Sequence, residues 1–232
     1  MRTLTRLLAG LLLGSSVATV ATAFEGRVTL ALKSGREAEQ VIEYAVKGPR
    51  FRVEPRAEGM PDGTAMILDL ERKEMVFLMP GERMYLAQPL KGGVAAAAAE
   101  RAGKAELRKT GRTETILGYA CEEYVVQEGK ETVELWITDQ LGSFVGLALD
   151  NPMAGMMGGG GAKPRGWEDE LRSRGGAFPL RVVGRDGRGR ESMRLEVRKV
   201  EPGDVPDGLF RVPDGFQKVP LPDLSALPGF GR

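Results

Sequence analysis

The sequence predicts a mainly β (α+β) protein, a curved antiparallel sheet or unclosed β-barrel with one main helix packed on or in its concave face. Three observations support this fold class. Apolar and polar residues alternate over about nine short segments that are separated by turn residues. One segment is rich in helix-forming residues. Strands do not alternate with helices along the chain, as they would in a parallel α/β sheet.

The first six predicted strands follow in order along the first half of the chain. In the first of them, Val28, Leu30 and Leu32 fall on one face. Residues 65–70 and 75–79 are apolar on both faces, which is the pattern of strands covered on both sides. Turn sequences such as Gly48-Pro49 and Pro80-Gly81-Glu82 separate the strands. The predicted strands are residues 27–33, 41–47, 50–54, 65–70, 75–79 and 83–88.

The middle of the chain predicts the main helix and two further strands. Residues 94–108 are rich in alanine and follow the helix breakers Pro89 and Gly92-Gly93, with Gly103 weakening the centre of the helix. Residues 114–126 and 131–138 then predict a strand pair around the turn at 127–130.

The last third combines a loop, two strands and a proline-rich end. Residues 150–176 form a Met/Gly-rich loop, in which four consecutive glycines raise the entropic cost of ordering and residues 166–174 predict a short helix. Strands are predicted at 178–185 and 190–200. We expect residues 209–213 to dock on the domain and residues 217–232 to form a flexible tail. The domain itself is predicted to span residues 24–216.

The first 23 residues have the features of a secretory signal peptide. Arg2 and Arg6 form a positive start, residues 7–20 are mostly apolar, and residues 21–23 (Ala-Thr-Ala) have the small-x-small pattern that signal peptidase accepts. The apolar run is shorter than the roughly 20 residues needed to cross a bilayer. We expect cleavage after Ala23, a periplasmic or otherwise exported location, and a soluble mature chain without a transmembrane anchor.

The charge argues against a nucleic-acid-binding protein, and the cysteine content excludes an internal disulfide. The leader holds two of the 33 basic residues and none of the 32 acidic ones, so the mature chain carries a formal net charge of −1. General nucleic-acid binding usually requires a strong basic excess. Because Cys121 is the only cysteine, an intramolecular disulfide is impossible.

Several segments together resemble a known bacterial family of unknown function. They are Phe24-Glu-Gly-Arg-Val, residues 44–52 with Val46-Lys47-Gly48, residues 111–138, and the closing Leu209-Phe210-Arg-Val-Pro-Asp-Gly-Phe216. This pattern resembles domain-of-unknown-function family 4412. That family is similar to the outer-membrane lipoprotein carrier (LolA-like) superfamily, whose fold is an unclosed β-barrel with a helical lid over an apolar cavity. The resemblance implies a carrier of a lipid or acyl chain, although fold alone does not determine function.

The sequence argues against an enzyme and predicts neither catalytic residues nor a cofactor. The chain contains no histidine, which removes Ser-His-Asp and Cys-His arrangements. Glu122 and Glu123 are neighbours in a strand and therefore point to opposite faces. We interpret this pair, and the acidic run Glu168-Asp169-Glu170, as solvated charges. The glycines at 158–161 lack the lysine and the spacing of a phosphate-binding loop.

For the cysteine and for the basic residues near the end of the chain, a structural role is favoured over a functional one. Cys121 is expected to be a buried small apolar residue, with an intermolecular disulfide as the alternative. Arginines at 185, 188, 190, 194 and 198 could face anionic lipid headgroups. Glu196 interrupts this row, so a solvated face is favoured.

Methionine residues give the candidate binding site. Thioether side chains adapt to varied apolar ligands, and the proposed ligand-binding residues are Met66, Met75, Phe77, Met79, Met84 and Trp136. The favoured function is a non-catalytic carrier of an apolar, lipid-like ligand. A structural or protein-interaction module with a filled core and an envelope protein partner is the alternative. Copper(I) binding by Met153, Met156 and Met157 is the least favoured hypothesis, because soft sites usually include His or Cys.

Overall fold

The computed structural model describes residues 24–36, 38–56, 59–90, 106–144, 166–174 and 177–220. Within these residues the chain forms twelve strands, one α-helix and two short 3-10 helices. The helix is α1 (Gly166–Arg174). The strands are β1 (Gly26–Ser34), β2 (Gln40–Lys47), β3 (Arg50–Arg56), β4 (Ala65–Asp69), β5 (Glu74–Met79), β6 (Met84–Pro89), β7 (Arg108–Ile116), β8 (Tyr119–Glu128), β9 (Glu131–Thr138), β10 (Phe178–Arg185), β11 (Glu191–Pro202) and β12 (Gln217–Lys218).

All twelve strands belong to one curved sheet that does not close. Its order is β12-β6-β5-β4-β3-β2-β1-β11-β10-β9-β8-β7. Neighbouring strands are antiparallel, except that β12 runs parallel to β6. Hairpins join most neighbours, while β1 pairs with β11 and so brings the two ends of the domain together. The predicted mainly β fold, with an unclosed antiparallel sheet, is confirmed.

The strand predicted at residues 114–126 is wrong, because the chain reverses direction within it. Leu117 and Gly118 form a two-residue turn, and both have a positive φ, of 51° and 86°. Tight hairpin turns that suit the twist of a sheet require this conformation at both positions. Glycine adopts it freely, but leucine rarely does. Of the two turn residues, only Gly118 indicates a turn in the sequence, and β7 was therefore not predicted as a separate strand.

The predicted main helix at residues 94–108 lies mostly outside the described residues. Its described end differs from the prediction, since Arg108 begins β7 and Glu106 and Leu107 precede that strand without helical structure. Leu107 is buried in the core. Tertiary burial of this leucine and pairing of β7 with β8 outweigh the local helix propensity.

The inner face of the sheet, defined here as the face that carries Leu30, Tyr44, Leu135 and Leu195, holds the main core. Each of these four residues is at most 1% exposed. They occupy alternate positions of their strands, so the predicted alternation is confirmed, as it is for Val28 and Leu30 on β1. The opposite face of the sheet is called the outer face below.

An aromatic cluster fills the middle of the inner face. The ring of Phe144 stacks on Tyr44 at 6.1 Å and on Trp167 at 6.0 Å between centroids. Phe178 meets Phe144 edge-on at 5.5 Å. Such arrangements contribute about 0.5–1.5 kcal/mol per pair beyond area burial. This cluster anchors the chain around residue 144 and the helix α1 against the sheet.

The helix α1 was predicted correctly, but its acidic run was not. Trp167 and Leu171 lie four residues apart on one side of the helix and are both buried in the core. Glu168, which was expected to be solvated, is only 2% exposed. The solvated interpretation is wrong here because a helix packed closely on a sheet also buries residues next to its apolar stripe.

A second, smaller core lies on the outer face of β2 to β6. Ala65, Ile67, Val76 and Leu78 project there from β4 and β5 and are at most 8% exposed. The C-terminal segment, residues 203–216, covers them with Val205 and Phe210. The two-sided burial predicted for residues 65–70 and 75–79 is confirmed for β4 and β5, except that Leu70 lies outside β4 and is 36% exposed. The docking of residues 209–213 is confirmed as well.

The C-terminal segment continues beyond this cover to the edge of the sheet. Gln217 and Lys218 form β12. The backbone amides of Gln217 and Val219 donate hydrogen bonds of 2.8 Å to the carbonyl oxygens of Arg83 and Tyr85. The first residues of the predicted tail therefore form a strand. Residues 221–232 of that tail lie outside the described residues.

Candidate functional site

The candidate binding residues on β4, β5 and β6 share the inner face. Met66 stands directly opposite Phe77, and Met79 stands opposite Met84. Met75 occupies the same face because it lies two residues before Phe77. These five residues are called the methionine strip below.

Burial divides the methionine strip into two parts. Met66 and Met75 are 8% and 4% exposed and belong to the packed core. Phe77, Met79 and Met84 are half-buried. The accessible part of the strip therefore lies at the β5–β6 end of the sheet.

Trp136 lies elsewhere. It is paired with Glu123 on β8 and Arg181 on β10, and it projects to the outer face. The guanidinium of Arg112 stacks over its ring at 5.8 Å. The structure thus brings five of the six candidate ligand-binding residues together and places Trp136 apart from them.

A cleft of about 640 Å³ opens at the other end of the inner face, over β7, β8 and β9. Apolar contacts come from Ala120, Tyr124 and Ile137, while threonine hydroxyls and carboxylates form much of its surface. This polar lining distinguishes the cleft from the methionine strip. The lining residues are Thr113, Glu114, Thr115, Ala120, Cys121, Glu122, Tyr124, Ile137, Thr138, Asp139, Gln140 and Ala177.

Cys121 is buried, as predicted. It is 1% exposed, and its thiol donates a hydrogen bond of 3.5 Å to the carbonyl oxygen of Tyr119. Burial raises the pKa of the Cys121 thiol, because the thiolate would lose its hydration. A thiol kept protonated is a poor nucleophile.

The two neighbouring glutamates on β8 point to opposite faces, as predicted, and have separate partners. Glu122 accepts hydrogen bonds from Lys109 at 2.6 Å and from Tyr124 at 3.1 Å. These two donors lower the pKa of the Glu122 carboxyl, with Lys109 as the larger cause. The pair cannot act together on one substrate atom, since the sheet lies between them.

Glu123 corrects the expectation of a solvated charge, because it is only 1% exposed. Arg112 pairs with both of its carboxylate oxygens, and the Thr110 hydroxyl donates to it at 2.6 Å. A buried carboxylate requires such partners. Sequence reasoning missed this network since it assigned no strand to residues 108–113, where an irregularity around Gly111 directs Thr110 and Arg112 toward Glu123.

The basic residues of β10, of β11 and of the turn between them are balanced by carboxylates. Arg194 and Arg198 project to the outer face of β11, while Met193, Leu195 and Val197 project inward, as the alternation predicts. This balance leaves little excess positive charge for anionic headgroups. The ion pairs are Arg181–Glu114 (2.9 Å), Arg185–Glu134 (2.9 Å), Arg190–Asp186 (2.7 Å), Arg194–Glu191 (2.6 Å) and Arg198–Glu39 (3.2 Å).

The remaining candidates concern metals and membranes. Met153, Met156 and Met157 lie outside the described residues. In the part of the chain that the structure describes, no three His, Cys, Asp or Glu side chains are grouped so that they could hold a metal ion. No helix among those residues is long and apolar enough to cross a membrane.

Comparison with known proteins identifies a family. The family model described as "Domain of unknown function (DUF4412)" matches residues 24–216. A search of curated proteins found no match.

Solved structures with similar folds were also found. An uncharacterized conserved protein from Thermus thermophilus matches with a TM-score of 0.51 at 18% identity, over 86% of this chain and 91% of that chain. At this identity the likeness shows the fold alone. The Pseudomonas aeruginosa MucA/MucB complex matches with a TM-score of 0.42 at 13% identity, over 80% and 54%. The LolA superfamily protein NE2245 from Nitrosomonas europaea matches with a TM-score of 0.32 at 15% identity, over 83% and 91%.

Proposed function

The chain belongs to the DUF4412 family, and we propose that it is a non-catalytic binding domain outside the cytoplasm that holds an apolar, lipid-like ligand. The observation that carries this proposal is the methionine strip. Its half-buried residues Phe77, Met79 and Met84 are apolar and occupy neighbouring positions of β5 and β6 on the inner face. Thioether side chains rotate easily and fit ligands of different shape.

Export is supported by the arrangement of the first 23 residues, with basic, apolar and small residues in the order of a signal peptide. Amino-terminal sequencing of protein recovered from the cell envelope tests this part. A chain that begins at Phe24 is expected. A chain that keeps residues 1–23 and remains in the cytoplasm would contradict it.

The ligand is tested by mass spectrometry of organic extracts from protein purified out of its native envelope. We expect recovery of a lipid from the unchanged protein and its loss from the double variant Met79→Ser, Met84→Ser. The polar hydroxyls remove apolar contact area worth roughly 25 cal/mol per Å². Leu117→Ser is the control, because Leu117 is 49% exposed at the β7–β8 turn, at the opposite end of the sheet from β5 and β6. Recovery of no lipid, or equal loss in the control, would contradict the proposal.

A second candidate function is a protein-interaction module with a filled core. It is favoured by the aromatic cluster, since Tyr44, Phe144, Trp167 and Phe178 are at most 1% exposed and fill the middle of the inner face. Cross-linking in intact cells, followed by purification, separates the two candidates. A single protein cross-linked in stoichiometric amount, with no lipid in the extract, favours the interaction module.

A further inference from the structure

A smaller cleft lies on the outer face of β1, β2 and β3 and encloses about 270 Å³. Ala45 creates space there because its small side chain stands in register between two long ones, Arg27 on β1 and Arg52 on β3. Leu209 of the C-terminal segment lines the cleft from the side of the second core. The cleft therefore lies where the apolar cover of the outer face ends and the charged surface begins.

One wall of this cleft is held rigidly. Arg52 is only 8% exposed, pairs with Glu54, and donates a hydrogen bond of 3.0 Å to the carbonyl oxygen of Leu209. Arg56 reaches the other oxygen of Glu54 at 3.2 Å. Because each of these groups already has a partner, this wall is ordered before any ligand arrives.

Two further charges line the same cleft without an ionic partner among the described residues. Arg27 forms no ion pair there, and Glu43 accepts only the hydroxyl of Thr29, at 3.1 Å. Glu43 is half-buried and stands directly opposite Glu54 on β3. Like charges opposite each other across two strands repel. Glu54 is already paired with Arg52 and Arg56, so a further cation would stabilise Glu43, and an anion would stabilise Arg27.

We propose that this cleft binds a small zwitterion. Its ammonium group pairs with Glu43, and its acidic group pairs with Arg27. The volume is just below the range of about 300–1,000 Å³ that drug-sized ligands occupy, so a compact molecule fits. A free amino acid and a phosphoethanolamine headgroup both carry this pair of charges. The site is on the outer face and is independent of the ligand proposed for the methionine strip.

Calorimetric titration of the mature protein with glycine and with phosphoethanolamine tests the proposal. We expect one of them to bind at least about tenfold more tightly than ethylamine or acetate, each of which satisfies only one of the two charges. Preference for phosphoethanolamine indicates a lipid headgroup, and preference for glycine indicates a free amino acid. No binding by either, or equal binding of ethylamine or acetate, overturns the proposal.

Substitutions locate the site. Arg27→Gln and Glu43→Gln should each weaken binding about tenfold, because each removes one charge-assisted contact. Glutamine at position 43 keeps an acceptor for Thr29. Arg108→Gln and Glu131→Gln are matched controls, as both are exposed and neither lines the cleft. Unchanged binding in the first two variants, with unchanged melting temperatures, overturns the assignment. The Met79→Ser, Met84→Ser variant should bind the zwitterion normally, which separates this result from the proposed function.

Discussion

The outer face of the sheet differs between its two halves. Over β4 to β6 it is apolar and covered, with Phe210 of the C-terminal segment seated on Ile67 and its neighbours. Over β8 to β11 the same face carries alternating arginines and glutamates that pair with one another, as Arg185 does with Glu134. Apolar burial supplies about 25 cal/mol per Å², whereas exposed ion pairs contribute about 0–1 kcal/mol each. The covered half should therefore carry more of the stability.

The largest effect is expected in the covered half. Phe210→Ala should lower the free energy of unfolding by about 3–5 kcal/mol, since it leaves a cavity in the second core. Arg50 also stacks over this ring at 5.1 Å. Urea unfolding of the purified protein measures the loss. Leu117→Ala is the control, because Leu117 is 49% exposed and its truncation should change stability by less than about 0.5 kcal/mol. Similar losses of unfolding free energy in both variants would contradict the conclusion that the covered half carries more of the stability.

A smaller loss of stability is expected in the charged half, at the ion pair between Arg112 and the buried carboxylate of Glu123. Arg112→Ala leaves Glu123 buried with only the Thr110 hydroxyl, and should cost about 1–3 kcal/mol. Arg108→Ala, on the same strand but exposed and without an ion pair among the described residues, should cost less than about 0.5 kcal/mol. Chemical denaturation of both variants gives the difference. Equal costs would mean that solvent or another cation takes the place of Arg112.

The attachment of the C-terminal segment should depend on acid pH. Lys47 binds Asp204 at 2.9 Å and lowers the pKa of that carboxyl, while Arg50 and Lys47 lower the pKa of Asp207. A carboxyl whose pKa is lower in the folded protein stabilises it above the unfolded pKa of about 3.9, and loses this effect as pH falls through the lower folded value.

The test compares unfolding midpoints between about pH 5 and pH 2. The unchanged protein should lose more stability on acidification than Lys47→Met, in which Asp204 has lost the main cause of its lowered pKa. Lys33→Met, which removes a charge on β1 that is not part of this cluster, should behave like the unchanged protein. Parallel curves for all three proteins would exclude a role of Lys47 in the acid response.

The smallest effect is expected for a surface ion pair of the charged half. Arg185→Gln should change stability by about 0–1 kcal/mol, because Arg185 and Glu134 are both partly solvated. A double-mutant cycle with Glu134→Gln isolates the coupling between them. A coupling above about 2 kcal/mol would show that the pair acts as a buried one, and would reduce the contrast between the two halves.

Most strands were predictable because the alternation of apolar and polar residues is a local property. Val28 and Leu30 on one side, and the arginines of β11 on the other, occupy the faces that their spacing requires. The failures have local causes as well. Leucine at position 117 adopts a conformation that it rarely takes, so the β7–β8 turn was hidden. Without β7, Arg112 could not be placed beside Glu123.

The candidate site was predictable only in part. Alternation placed Met75, Phe77 and Met79 on one face of one strand, but the pairing of Met79 with Met84 and of Met66 with Phe77 depends on the register of three strands. Trp136 is also apolar, but it projects from β9 to the outer face, whereas the other candidates lie on the inner face of β4 to β6. The cleft over β1, β2 and β3 could not be predicted, since Arg27, Glu43 and Arg52 come from three strands and become neighbours only in the sheet.

By itself, the sequence determined which side of each strand is apolar, the absence of histidine chemistry and the absence of an internal disulfide. The tertiary structure alone decided which apolar faces are covered, and by what. Residues 203–216 cover β2 to β6 through contacts such as Lys47 to Asp204, which are 157 residues apart. The physical reason is that periodicity acts over a few residues, whereas cover, burial of Glu123 and the shape of the clefts depend on segments brought together by folding.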